Sequence, residues 1–455
     1  MPKRPRVAIL GLDCAPPAIV FNPEFAPRFK TFCRLMDSGA YGPLRSITPP
    51  ITIPAWACMT TGKDPGTLGM YGIRNRKDRT YNGLEIAHSG YLKEKAVWDL
   101  LGDSGRHVIL MGVPPSYPPK PVNGQLISCF LTPNAKSAYT HPSSLKAEIE
   151  KLVGPYPFDA KGFRTDDKQS LLKQLYDMAE THFKVMKHLL TNKPWDFFMS
   201  VEMATDRLHH GFWKYFDVLH RDYASGHPLN KAIPDFYAFL DEKIGEILTL
   251  FDEQTTVFIV SDHGAQRLDG GICINDWLIR EGYLSLKEDP AGPSKFAVEN
   301  VDWCRTRAWG EGGYYGRVFL NVERREPQGI VPASAIEDLR DELVQTIEAI
   351  PDDLGQPLRT KAHKPENLYP TVRGVPPDLI VIFDELYWRS VGSVGNPTIW
   401  THENDTGPDD CNHAMDGIFI ASGPGAPRPG ETKGLRIQDV AGIVLNAFGI
   451  PGSAA

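Results

Sequence analysis

Basic charge is in short supply in this chain. Its 455 residues carry 49 Lys and Arg against 56 Asp and Glu, a formal net charge of -7. Proteins that hold a nucleic-acid polymer are normally basic, so no such partner is expected, although a local basic pocket for one phosphate is allowed. Long apolar runs are missing too. No stretch approaches the roughly 20 residues a membrane helix needs, so no membrane partner is expected. Met1-Pro2-Lys3-Arg4-Pro5-Arg6 leads into the run Val7–Leu12, which Asp13 cuts before it reaches signal-peptide length. The seven cysteines, at 14, 33, 58, 129, 273, 304 and 411, lack CxxC spacing. They are expected as reduced thiols rather than a disulfide framework or a cysteine zinc site, and the expected compartment is the cytoplasm.

An apolar fraction of 42% is enough for a substantial core. Short apolar runs bounded by turn residues alternate with longer helical patterns. That alternation predicts an α/β fold with a mostly parallel central sheet flanked by helices, residues 1–455 forming a single domain. The strand candidates are Val7–Leu12, His107–Val113, Phe197–Val201, Thr256–Val260, Asp378–Ile382 and Gly417–Ala421. The clearest helices are Ala57–Thr61, Ser170–Leu190, Phe236–Phe251, Ala335–Ala349 and Gln438–Phe448. In Ser170–Leu190, Leu171, Leu175, Met178, Phe183, Met186 and Leu190 follow helical spacing and mark a core-facing face. The Pro- and Gly-rich segments of about 77–168 and 284–377 fit the sheet poorly and are expected as insertions around the rim of a site.

Ligands of open α/β sheets bind beyond the carboxyl ends of the strands, and titratable residues gather at those places here. Asp13 closes the first strand, where a carboxylate serves as a turn residue, a helix cap or a metal ligand. Thr52, in Pro50-Ile51-Thr52-Ile53-Pro54, stands just before a small-residue helix, either as a plain cap or as a group facing an anion. Glu202 to Gly211 follows the strand Phe197–Val201. If it is helical, Asp206 and His210 share one face and can grip one metal, with His209 the neighbouring competitor. Val260-Ser261-Asp262-His263-Gly264 ends a buried strand in adjacent titratable residues that need a partner to offset desolvation. A late histidine, His413, precedes the strand Gly417–Ala421, with His402 as its competitor.

This ordered series resembles the alkaline phosphatase superfamily, and within it the type I phosphodiesterase/nucleotide pyrophosphatase branch and the related bacterial phosphohydrolases. The resemblance runs from Asp13 to the strand after His413. It implies an alkaline phosphatase-like core with cap insertions. It also implies one divalent ion on Asp13, Thr52, Asp262 and His263, with Thr52 doubling as nucleophile, and a second on Asp206, His210 and His413. Asn75 stands where the family places an Asn that hydrogen-bonds the phosphoryl oxygen, and Tyr71, Arg74 and Arg76 follow the nucleophile helix as candidates for substrate contact. The sulfatase signature is missing, since Cys58 is followed by Met59-Thr60-Thr61, and so is a serine nucleophile.

The chemistry suits these residue types. A threonine hydroxyl is a poor nucleophile at neutral pH, and two metals can hold the attacking and leaving oxygens of an in-line displacement. Asp and His donors suit zinc and admit manganese or iron. The expected activity is hydrolysis of a small-molecule phosphate ester, diesters before monoesters. The helix after Thr52 carries no charge to meet a monoester dianion, and Trp56 offers an apolar rest for a second substituent. The alternatives are a monoester or phosphonate hydrolase or a mutase of the same superfamily, and a non-catalytic binding protein with a degenerate site.

Overall fold

The structure is a computed structural model that describes residues 4–450. A ten-stranded sheet forms its centre. From one edge it runs Gly430–Glu431, Ala40–Arg45, Asp416–Ser422, Thr255–Val260, Arg6–Leu12, Phe197–Glu202, Val108–Met111, Gly124–Ile127 and Thr140–His141, with Leu435–Arg436 also pairing with Ala40–Arg45. The five strands from Thr255–Val260 to Gly124–Ile127 are parallel. Asp416–Ser422 runs antiparallel to both of its neighbours.

Arg6–Leu12 is a near-continuous apolar run because both its faces are covered. Ala8, Leu10 and Leu12 face a core shared with the helices Lys30–Ser38, Lys168–Asn192, Ala204–Phe216 and Ala232–Leu248. Val7 and Ile9 face the other core, shared with Thr52–Thr61, Val97–Asp103 and Asp439–Ala447. The helix Thr52–Thr61 starts five residues earlier than its sequence pattern suggests, so Thr52 is its first residue. Pro54 is tolerated there because first-turn N–H groups have no intrahelical acceptor. Gly62, at φ +68°, closes the helix in the left-handed conformation. The helix lies tightly on the first strand: a Cβ on Gly11 would come within 2.5 Å of the Trp56 ring.

Two sequence expectations need correction. The segment 77–168 does not stand apart as an insertion. Val108–Met111, Gly124–Ile127 and Thr140–His141 extend the central sheet, and Tyr139, Leu145 and Ile149 belong to its core. Prolines 114, 115, 118, 119 and 121 interrupt the pattern between the first two of these strands without removing them. Leu379–Ile382 is a strand, but not of the central sheet. It pairs antiparallel with Gly316–Leu320 and Lys361–His363 in a separate four-stranded sheet. An apolar run reports burial, not which strand it pairs with. That second sheet, the helix Ile336–Glu348 and the strands Gly270–Cys273, Trp388–Val391 and Trp400–Thr401 share a core of their own, so this inserted body is wider than 284–377. Among the described residues no helix is long and apolar enough to cross a membrane.

Candidate active site

Three parallel strands open on one edge. Asp13 follows Arg6–Leu12, and its N–H donates to Glu202 O at 3.1 Å. Beyond Glu202 the chain turns directly into the helix Ala204–Phe216, which stacks Asp206 and His210 one turn apart, Oδ1 to Nε2 3.3 Å. Asp262 and His263 follow Thr255–Val260. The chain then pairs Gly264–Arg267 with Cys411–Ala414, setting Ala265 opposite His413 and bringing the late histidine to the same place. Thr52, 5% exposed, lies with Oγ1 3.3 Å from His263 Nε2.

These residues fall into two adjoining groups. Asp13, Asp262 and His263 each offer an atom within 4.8 Å of the other two, and so do Asp206, His210 and His413. The rings of His263 and His413 stack at 3.8 Å. In each acid one oxygen is held by the protein and the other is left over. Asp13 Oδ2 accepts from Trp56 Nε1 at 2.7 Å, Asp262 Oδ1 from Cys14 N at 3.2 Å, and Asp206 Oδ2 from Arg207 Nη1 at 2.6 Å. The histidines repeat the arrangement. Nδ1 donates to Gly264 O in His263 (3.1 Å), to Asp409 Oδ1 in His210 (2.5 Å) and to Pro50 O in His413 (2.7 Å). Every Nε2 therefore faces inward, as a lone pair in His263 and His413, whereas the carboxylate of Asp409 outweighs burial and holds the metal-free His210 well above its ordinary value. Asp13 Oδ1, Asp206 Oδ1, Asp262 Oδ2, His210 Nε2 and His413 Nε2 are buried with no hydrogen-bond partner. Unpartnered buried polar atoms are costly, and carboxylate oxygens and imidazole nitrogens crowded together fit cations.

The electrostatics point the same way. Burial holds Asp13 and Asp262 well above the usual carboxylate range; the charge of Asp206 adds to this at Asp13, and that of Asp13 at Asp262. Burial would raise Asp206 as well, but His210 and Arg207 outweigh it and hold the group well below its ordinary value. Burial lowers His263 to about 4 and holds His413 well below its ordinary value, so both imidazoles are neutral at pH 7. Cys14 with His263 and His413, and Cys411 with His210 and Asp409, also meet the spacing of a metal group. In the metal-free protein burial raises the Cys14 thiol well up and the Cys411 thiol to about 12, and Cys14 Sγ donates to Gly264 O at 3.3 Å.

The other sequence candidates have contacts of their own, and Tyr71 shares a buried cluster with Ile51, the neighbour of Thr52. Asn75 braces its own loop, Oδ1 accepting from Tyr71 N at 2.7 Å and Nδ2 donating to Gly72 O at 2.8 Å, which uses one of the two amide N–H groups. Tyr71 is buried against Tyr369, its hydroxyl donating to Arg373 O. Arg76 is buried, paired with Glu326 at 3.3 Å and lying over Trp309 and Phe319. Arg74 is exposed, and its carbonyl accepts from Arg317. Trp56 is fully buried and fixes Asp13, so it offers no resting place for a substituent. His402 sits at the surface paired with Asp353, and His209 is a core residue stacked on Tyr237.

Sequence reasoning missed the groups behind the second cluster. Asp409, four residues before His413, anchors His210 and receives Arg164 and Arg389. Tyr314, from the inserted body, stacks on His413 at 4.2 Å and on His210 at 5.2 Å. The Asp409-Asp410 pair close to His413 was the one available signal, whereas Tyr314 had none.

A family model described as type I phosphodiesterase / nucleotide pyrophosphatase matches residues 7–409. Among solved structures, human ectonucleotide pyrophosphatase/phosphodiesterase 5 has a TM-score of 0.58 at 12% identity, covering 99% of this chain and 96% of that one. The murine counterpart, as an inactive threonine-to-alanine variant in complex with AMP, has the same TM-score of 0.58, 12% identity, and 99% and 96% coverage. Phosphonoacetate hydrolase from Sinorhizobium meliloti 1021, in complex with phosphonoacetate, has a TM-score of 0.60 at 14% identity, covering 98% of this chain and 96% of that one. At such identities the likeness establishes the fold. A search of curated proteins finds no match.

Proposed function

The chain belongs to the type I phosphodiesterase / nucleotide pyrophosphatase family, and on that premise we propose that it hydrolyses a small phosphate diester through a covalent intermediate on Thr52. The observation that carries this reading is the cluster of unpartnered buried carboxylate and imidazole atoms that adjoins His263, whose Nε2 lies 3.3 Å from the Thr52 hydroxyl. Asp13, Asp262, His263 and Thr52 would hold one divalent ion and Asp206, His210 and His413 a second. When bound, the pair supplies Lewis-acid stabilisation to the attacking and leaving oxygens, and the donor set suits zinc, with manganese or iron admitted.

The protein's own part is positional. Thr52 sits at the first turn of a ten-residue helix, where unpaired N–H groups and the positive dipole end favour a phosphoryl anion. Its hydroxyl donates to the His263 Nε2 lone pair, which sets the direction of the oxygen. Attack of Oγ1 on phosphorus expels one ester oxygen, which leaves as the alcohol after taking a proton. The other substituent stays on a phosphoryl group bonded to Thr52. Water then attacks that phosphorus, breaks the Thr–O–P bond and restores the hydroxyl. The net reaction is diester plus water to monoester plus alcohol.

The arginines around the site support a diester over a monoester dianion. Arg76 is paired with Glu326, Arg164 with Asp409, Arg207 with Asp159 and Asp206, and Arg389 faces Asp409. Arg76, Arg164 and Arg207 are committed to carboxylates rather than free for an extra phosphate charge, while Arg389 keeps Nε and Nη1 without a hydrogen bond beside Asp409. Steady-state kcat/KM on bis-p-nitrophenyl phosphate and p-nitrophenyl phosphate under one metal condition tests this. The diester should be the better substrate; a clear monoester preference would move the enzyme to monoester hydrolysis.

A further inference from the structure

The inserted body reaches the central sheet at a particular place. Its hairpin between Ala308–Glu311 and Gly316–Leu320 carries Tyr314, whose ring lies at 29° to that of His413 and 25° to that of His210. The Tyr314 hydroxyl accepts from Arg164 Nη2 at 2.9 Å. Arg164 also donates to Asp409 Oδ2 through Nε at 3.2 Å and Nη2 at 3.1 Å. Asp409 Oδ1 in turn accepts from His210 Nδ1. The contacts close on themselves, from His210 to Asp409, Arg164, Tyr314 and back to His210. The members come from four separate stretches of the chain. Asn412 Nδ2 donates to Tyr314 O at 3.1 Å and pins the backbone of the same residue beside His413.

We propose that Tyr314 is a positioning residue for the second metal group, so that docking of the inserted body sets the affinity of Asp206, His210 and His413 for their ion. This inference rests on the two-metal reading above and adds a role for the insertion. An imidazole binds a metal along one lone-pair direction, and its ring torsion is broad unless something packs against it. Asp409 fixes one edge of the His210 ring. The face of Tyr314 fixes the plane of His210 and of His413 together. The link through Arg164 holds Asp409 and the phenol in one frame. Outer-shell partners of metal-bound histidines typically contribute ten- to hundredfold in affinity, about the scale expected for this ring.

Zinc titration of metal-free protein, followed calorimetrically, reads the effect without relying on turnover. Wild type should take up two ions. Tyr314→Leu should keep one at wild-type affinity and bind the other about ten- to hundredfold more weakly. Tyr314→Phe keeps the stack and loses only the bond to Arg164, so its loss should be smaller. Tyr315→Phe is the control for plain docking. That hydroxyl donates to Tyr71 O where the same inserted body meets the core, without touching a histidine, so both affinities should stay at wild type. Unchanged affinities in Tyr314→Leu, with only the melting temperature of the metal-free protein lowered, would overturn the proposal. So would equal weakening by Tyr315→Phe. Wild type that takes up no zinc would refute the two-metal reading itself, a result distinct from either.

Discussion

Replacing His413 with alanine should remove one metal ion per chain, and replacing His402 should remove none. The two histidines lie eleven positions apart, on either side of the same polar stretch, and the structure separates them sharply. His413 is 1% exposed, with Nδ1 on Pro50 O and Nε2 unpartnered 3.7 Å from Asp206 Oδ1. His413→Ala leaves Asp206 and His210 as the only protein ligands of the second group. Loss of a direct ligand should exceed the ten- to hundredfold cost of an outer-shell partner, so at micromolar zinc the second ion should be missing. In the metal-free protein the same change unpairs the Pro50 carbonyl, about 1–3 kcal/mol, and removes ring contacts worth about 0.5–1.5 kcal/mol. His402 is 43% exposed in its side chain and pairs with Asp353 at 3.0 Å. A surface pair of this kind is worth roughly 0–1 kcal/mol. Elemental analysis of desalted protein, backed by zinc titration, should give two ions for wild type and His402→Ala and one for His413→Ala. If His402→Ala loses an ion while His413→Ala keeps both, the second metal group is misassigned.

Trp56→Phe keeps most of the ring volume but removes the bond to Asp13 Oδ2, so zinc affinity at the first group should fall about ten- to hundredfold; an unchanged titration would refute the role given to the indole. Thr52→Ala should keep both ions and lose more turnover than the roughly hundred- to ten-thousandfold typical of an acid–base group, and activity within tenfold of wild type would end the nucleophile assignment. His209→Phe tests acid stability. Burial lowers the folded-state pKa of His209 to about 3, while the unfolded chain titrates near 6.5. The folded state thus keeps the ring neutral where the unfolded state binds a proton, so its contribution is full above about pH 6.5 and is lost as pH falls toward 3. The melting temperature of His209→Phe should therefore fall less steeply than that of wild type between pH 6.5 and 4; parallel curves would contradict the shift. At pH 8 the variant should be slightly less stable, because Tyr237 loses its partner.

Residues at the ends of buried strands were the most legible part of the sequence. Asp13 and Asp262-His263 each close an apolar run, and Asp206 and His210 carry the helical spacing that places them together. Local pattern sufficed because the strand end itself positions the side chain. Partnership across the fold was not legible. Tyr314, Arg164 and Asp409 meet His210 only after four distant segments fold together, and no periodicity marks them. Asn75 adds a local contact that the pattern did not show. An asparagine commonly folds its amide onto its own turn, and the 71–75 loop uses it that way. Trp56 follows Thr52 in sequence, yet helical geometry turns it into the core under Gly11 rather than toward the rim. The strand Leu379–Ile382 carried the right pattern for a buried strand but no mark of which sheet it joins.

The stereochemical course at phosphorus tests the covalent route through Thr52 most directly. An aryl phosphorothioate diester of one handedness, hydrolysed in isotopically labelled water, reports how many in-line displacements occur. Attack by Thr52 and then by water inverts phosphorus twice, so the account predicts net retention. Net inversion would mean that water attacks the substrate in one step and that Thr52 never carries the phosphoryl group.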